Sequence, residues 1–264
     1  YYANMVANEM FLDSATLRNS VVAKAKHLGY LPRSAKGSKA VVDLTITPMG
    51  NPAVITIPRF TQFQGDVDGI NYIWCTSNSH ALNINANLIY TVSDVELTQG
   101  IPISYRYTAE TADVDQRYLL PNANIDTDTL TVTVQTSKTE SASFAYDLAN
   151  DITTVNSTSR HYFLDEVDEG LYEVQFGDGI LGKKVSNGNI ITLAGLVTDT
   201  TATNGCKNFT TVADVGGYSN VKIVTVDAAG GGAASADIQE IKFNAPKSFD
   251  AQNRCVTVYD YISL

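Results

Sequence analysis

Residues 171–193, LYEVQFGDGILGKKVSNGNIITL, constrain the possible fold more than any other stretch of this chain. Tyr172, Val174 and Phe176 alternate onto one face of an extended segment, and Gly177-Asp178-Gly179 then supplies residues that tolerate the positive φ a reversing chain needs. Gly182 and the Asn187-Gly188 pair mark further turns before the β-branched run from Ile190 to Leu193. The pattern predicts two strands locked together by local turns. Gly177 and Gly179 are both expected at φ > 0, and the structural turn is expected to rest on Gly177, Asp178, Gly179, Gly182, Asn187 and Gly188.

The same stretch imitates a phosphate-binding loop. Gly177, Gly182 and Lys183 have the spacing, but Lys184 stands where a hydroxyl should hold Mg²⁺. Residues 185–188 then turn into a strand, whereas a phosphate loop opens a helix whose N-terminus faces the anion. A glycine-punctuated turn is the better reading, and no cofactor is expected.

The chain has 264 residues, enough for one large or two ordinary domains. Its 44% hydrophobic and 17% charged content, rich in threonine, suits sheets with one solvated face. A formal charge of −10 opposes binding to a phosphate backbone, so nucleic acid is not an expected partner. No apolar run reaches the ~20 residues of a membrane span, and no membrane contact is expected. Cys75, Cys206 and Cys255 lack zinc-site spacing and do not make a disulfide set. The start inside helix-like sequence and the stop at Leu264 read as a fragment of a longer protein.

In chain order, residues 1–28 read as helix. Met5, Val6, Met10, Phe11 and Leu12 share a face, Asp13-Ser14 offers a cap, and Leu17, Val21, Val22, Ala25 and Leu28 recur at helical spacing. That second stripe is a candidate subunit interface, although it could equally pack on the chain's own core. Val42, Leu44 and Ile46 alternate, and the turn at 48–52 predicts a hairpin into Val54, Ile55 and Ile57. Strands follow at 71–75, 88–97 and 101–107, with turns at Gly65, Asp68-Gly69 and Gly100. Asp66-Val67-Asp68-Gly69 begins like a calcium loop but lacks its later ligands. Residues 109–123 are a candidate domain boundary. Beyond them, strands are predicted at 129–136, Phe144 with Tyr146, 162–167, 209–212 and 221–226, then a weak helix at 234–243 ended by Pro246. Asp165, Glu166, Asp168 and Glu169 form an acidic tip that reads as a solvated turn, or as a site for a cation or a basic partner.

His27, His80 and His161 have no metal-ligand spacing, and no nucleophile elbow occurs. Neither a metal site nor an enzyme activity is expected. The fold class expected is mainly β (α+β), an N-terminal helix followed by two β-rich, barrel- or sandwich-like domains.

Four stretches together resemble one family. The helix with Leu17, Val21 and Val22 ends in Gly29-Tyr30-Leu31-Pro32; Ile57-Pro58-Arg59-Phe60-Thr61-Gln62-Phe63 follows, with Phe60 where a glycine is usual; then come Phe176-Gly177-Asp178-Gly179 with the strand after Gly188, and Gly230-Gly231-Gly232 followed by residues 254–261. In this order they are similar to the baseplate J-like proteins of contractile phage tails, and among these to the wedge subunit of T-even-type phages. The resemblance implies a structural protein of the virion tail baseplate, assembled in the host cytoplasm. Implied partners are a second copy of itself, a larger wedge subunit and other baseplate or sheath-initiator proteins, in a wedge that assembles around the hub and takes part in triggering sheath contraction. The domains expected are the end of an N-terminal helical core-bundle region at 1–36, a first β domain at 37–110, a second at 111–229 carrying the FGDG hairpin, and a linker into a C-terminal domain at 230–264. The alternative is a non-catalytic glycan-binding or adhesin module of a tail or cell surface.

Overall fold

A computed structural model describes residues 6–48, 50, 52–83, 89–110, 116–149 and 155–251. Expectations placed on Met5, Met49, Asn51, Leu88, Cys255 and the run 254–261 lie outside the described residues.

The described residues form fifteen β-strands, two full α-helices and two short 3₁₀ turns. Helix α1 (Arg18–His27) precedes β1 (Lys39–Ile46), β2 (Val54–Ile57), β3 (Gln62–Val67), β4 (Ile70–Thr76), β5 (His80–Asn83) and β6 (Tyr90–Gln99). Then follow β7 (Ile101–Thr108), β8 (Arg117–Leu120), β9 (Ile125–Gln135), β10 (Ser143–Leu148), β11 (His161–Glu166), β12 (Tyr172–Phe176) and β13 (Ile190–Val197). Last among the described residues come β14 (Phe209–Thr211), β15 (Val221–Gly230) and α2 (Ile238–Ala251).

Two sheets curl into nearly closed barrels. The first runs β14-β3-β4-β6-β1-β15, and its edges meet where Gly205 N–H donates to Ala229 C=O at 2.7 Å and Ala229 N–H to Cys206 C=O at 2.9 Å. The second runs β7-β13-β9-β10-β11-β12-β8, with the Tyr107 hydroxyl on one edge strand reaching Leu119 C=O on the other at 2.5 Å. Each barrel follows from period-two patterning: in β1, Ala40, Val42, Leu44 and Ile46 point inward, and in β12 Tyr172, Val174 and Phe176 do. Trp74, Tyr90, Phe63 and Leu97 fill the first core; Leu120, Ile125, Val132 and Leu193 fill the second.

Sheet membership divides the chain differently from sequence order. The change from first to second sheet falls at Gly100, between β6 and β7, rather than at residue 110, and β14 and β15 return to the first sheet. The second barrel is therefore an insertion of residues 101–197 within the first. Both crossings are tied together: Gln99 Nε2 donates to Asp199 Oδ2 at 2.7 Å, and Asp199 N–H returns a bond to Gln99 Oε1 at 2.9 Å.

Two predicted pairings and one predicted turn are corrected. The hairpin from β1 into β2 does not form, because β1 lies between β6 and β15 while β2 pairs with β5. The strands flanking the 177–189 stretch are not partners: β12 lies between β11 and β8, whereas β13 lies between β7 and β9. Gly65 is no turn but a residue inside β3, where a Cβ would stand 2.6 Å from Cys206 Sγ and 2.7 Å from Trp74 Nε1. The turn at Asp68-Gly69 is present with both residues at positive φ, joining β3 and β4 as a two-residue hairpin.

The helical ends also differ. α1 starts at Arg18, and its cap is not Asp13-Ser14: the Glu9 carboxylate accepts from Thr16 N–H at 2.8 Å, Thr16 Oγ1 at 2.7 Å and Leu17 N–H at 3.3 Å. α2 continues through Pro246 to Ala251, held by the burial of Ile241 and Ala245 against α1. The hydrogen bonds from Thr16 pull the Glu9 carboxyl from 4.5 down to about 2. A folded-state value below the unfolded one means that this cap stabilises α1 above pH 4.5 and is lost as the pH falls towards about 2. Helical circular dichroism should decline across that window, and Glu9→Gln should flatten the decline.

Phe60, which takes the usual glycine position of its motif, has φ +64°. Left-handed backbone costs a non-glycine residue about 1–2 kcal/mol. The ring is retained there under the Arg59 guanidinium, 4.5 Å from the ring centroid. Phe60→Gly should therefore be more stable than Phe60→Ala by roughly 1 kcal/mol in urea titrations, since alanine keeps the strain and loses the ring.

Candidate functional site

The loop between β12 and β13 spans one end of the second barrel. The two strands it joins are separated by β9, β10 and β11 in the sheet, so it is no hairpin between paired strands. Asp178 organises its tip, with Oδ1 accepting from Ile180 N–H at 2.8 Å and Leu181 N–H at 2.9 Å. These bonds hold the Asp178 carboxyl below its usual range. Gly179 N–H donates to Gly182 C=O, Gly182 N–H to Asn156 C=O and Lys183 N–H to Ser159 C=O. Every amide from Gly179 to Lys183 is thus occupied within the protein, which leaves none to cradle a phosphate.

Gly179, Gly182 and Gly188 have φ of +95°, +85° and +80°. Gly177, expected at positive φ, is not among the left-handed residues. Its constraint is steric: a Cβ would stand 2.3 Å from Leu181 O and 2.4 Å from the Gly182 carbonyl carbon. Gly177→Ala should push the two loop limbs apart and cost about 1–3 kcal/mol by denaturant titration. The second turn is also fastened by Asn189, which sequence reasoning passed over. Asn189 Oδ1 accepts from Ser186 N–H at 2.7 Å, its Nδ2 donates to Thr136 C=O at 2.8 Å, and Gly188 N–H reaches Ala109 C=O at 2.9 Å.

The second candidate region is the helical layer. Val21, Val22 and Ala25 are buried, but against Ala236, Ile241 and Ala245 of the same chain, so α2 already occupies the face assigned to a subunit interface. Leu28 is partly buried in that cluster, and Leu17 stays half exposed. Solvent instead meets Val6, Met10, Phe11, Leu17, Phe243 and Phe249.

Of the acidic tip, Asp165, Glu166 and Asp168 all meet side chains of α1, which favours the basic-partner reading. Glu166, its side chain fully buried, receives Arg18 Nε at 2.6 Å and Arg18 Nη2 at 3.1 Å, while Arg18 Nη1 donates to Ala236 C=O at 2.6 Å. Lys26 Nζ pairs with Asp165 at 2.7 Å, and Asn19 Nδ2 donates to Asp168 at 2.9 Å. The basic partner of the tip is α1 itself. Tyr172 adds a buried bond to Pro32 C=O at 3.0 Å, and burial raises its phenol above the usual value. α1 is thereby locked to the second barrel and to α2 at once.

Among the described residues no three His, Cys, Asp or Glu side chains gather as metal ligands, and no helix is long and apolar enough to cross a membrane. What the geometry defines is a mainly β protein of two nearly closed barrels with a docked helical pair. Over an alignment of 290 residues the chain is 26% identical to the baseplate wedge protein gp6 of Enterobacteria phage T4, covering 98% of this chain. It spans 42% of the length of that relative. No family model matches the chain. The wedge-like resemblance read from four short stretches thus extends over nearly every residue, and the chain is a relative of that wedge protein.

Proposed function

We propose that this chain is a structural component of the baseplate wedge of a contractile phage tail, residing in the virion. The observation that carries the reading is the near-complete coverage of the chain by its similarity to a baseplate wedge protein. The fold is consistent with it: barrels with packed cores, tight surface loops and an exposed apolar helical rim offer extended contact area. Its role is to bind, without catalysis. Within the wedge it pairs with a second copy of itself and with a larger wedge subunit, and the assembled wedges surround the hub and take part in the rearrangement that triggers sheath contraction. Because α2 covers Val21, Val22 and Ala25, the contact is assigned to Leu17 and the neighbouring exposed residues Met10 and Phe11, with Phe243 on α2.

The test is the mass of the full-length protein co-expressed with its neighbouring tail genes, by light scattering during size exclusion. A defined hetero-complex with two copies of this chain is expected. A stable monomer that ignores those proteins and binds a glycan would replace this reading with the adhesin one.

A further inference from the structure

We infer that the tip of the 177–189 loop and the adjoining 157–160 segment form a docking site for an acidic, leucine-containing polypeptide segment of a partner protein. The inference stands on the local geometry and does not depend on the baseplate reading. Three features coincide there. Ile180 is 76% exposed and Leu181 44%, both at the apex of a loop whose backbone amides from Gly179 to Lys183 are all internally bonded. Large apolar side chains on a rigid support lose little conformational freedom when covered, which favours binding. Beside them stand Arg160, Lys183 and Lys184, all exposed and in none of the ion pairs among the described residues.

On a chain with net charge −10, Arg160, Lys183 and Lys184, in no ion pair among the described residues, are a local reversal of sign. The Asp178 carboxylate accepts from the Ile180 and Leu181 amides and also attracts Lys184, which leaves Arg160 and Lys183 as the cations lining the concavity. Arg160 is stacked on Phe144, 4.0 Å from the ring centroid, which fixes the guanidinium in place. Ser157 and Thr158 hydroxyls share the same concavity with Arg160 and Lys183. Carboxylates alone would satisfy the cations, and an apolar side chain alone would satisfy Ile180. An acidic segment carrying leucine satisfies both, and its register would be set by the distance between them.

The purified chain is titrated with a short fluorescent peptide alternating glutamate and leucine, with a lysine–leucine peptide and polyphosphate as controls, reading anisotropy at low and high salt. The glutamate–leucine peptide should bind saturably and the lysine–leucine peptide should not. Lys183→Glu combined with Lys184→Glu, and separately Ile180→Ser, should each weaken binding about tenfold. Both are surface changes that leave the loop's backbone bonds in place, and an unchanged urea midpoint verifies folding. Equal binding of both peptides, no binding of either, or full competition by polyphosphate with no effect of Ile180→Ser would overturn the site.

Discussion

Glu166→Ala is expected to lower stability by about 3 kcal/mol, the lower end of the range for removing one partner of a buried ion pair. The loss exceeds that of a surface pair because Glu166 has no solvent exposure in its side chain, and its removal strands a guanidinium that is only 24% exposed. That residual exposure lets Arg18 rehydrate in part, which keeps the figure from rising further. The damage should be local. α1 loses its bidentate anchor to β11, while the Arg18 bond to Ala236 C=O and the Lys26 pair with Asp165 remain. Hydrogen exchange should show α1 amides opening first, with the first barrel protected as before. Glu166→Gln, which keeps the shape and one acceptor, should recover part of the loss; equal loss in both variants would assign the effect to charge alone.

Trp74→Ala should cost about 3–5 kcal/mol, the range for emptying a large aromatic site in a packed core. Trp74 is fully buried on β4, with its ring edge-on to Phe209 of β14 at 5.1 Å between centroids. The cavity would open beneath the short strand that completes the first sheet, so β14 should detach early. Trp74→Phe should be far milder. It keeps most of the packed area and removes an indole N–H that has no hydrogen-bond partner. The chain has a single tryptophan, so both variants are followed by circular dichroism in urea rather than by fluorescence.

Strand positions were legible in the sequence because alternation is written residue by residue: β1 and β12 bury the side chains that their period two assigns inward, and β9 buries Val132 and Val134 but leaves Leu130 partly exposed. Neighbours in sequence could also be paired where a short turn joins them, as with β9 and β10. Long-range pairing was not legible. The turn-rich segment at 48–52 resembles a hairpin connection, yet the pairing of β2 with β5 rests on contacts that no local signal encodes. The same applies to the loop site. Gly179 and Gly188 announce turns, but which strands the loop bridges depends on how the whole barrel closes. Gly65 deceived because glycine also marks places where another group comes close, here the Trp74 indole. The acidic tip looked solvated because its counter-charge, Arg18, lies 148 residues earlier in the chain. Glu9 was missed as a cap because it reaches Thr16 and Leu17 from the turn before α1, outside the usual capping position.

The insertion of one barrel within the other sets an order of completion during synthesis. All strands of the inserted barrel have been made once residue 197 leaves the ribosome, but the outer barrel still lacks β14 and β15. The inserted barrel can close while β1, β3, β4 and β6 wait as an open sheet with β1 unpaired along one edge, a surface on which other nascent chains could pair. Arrival of β15 caps that edge and draws in α2, which then seats against α1. The last described element to emerge is the one that covers Val21, Val22 and Ala25, so the helical rim takes its final shape only at the end of this segment's synthesis.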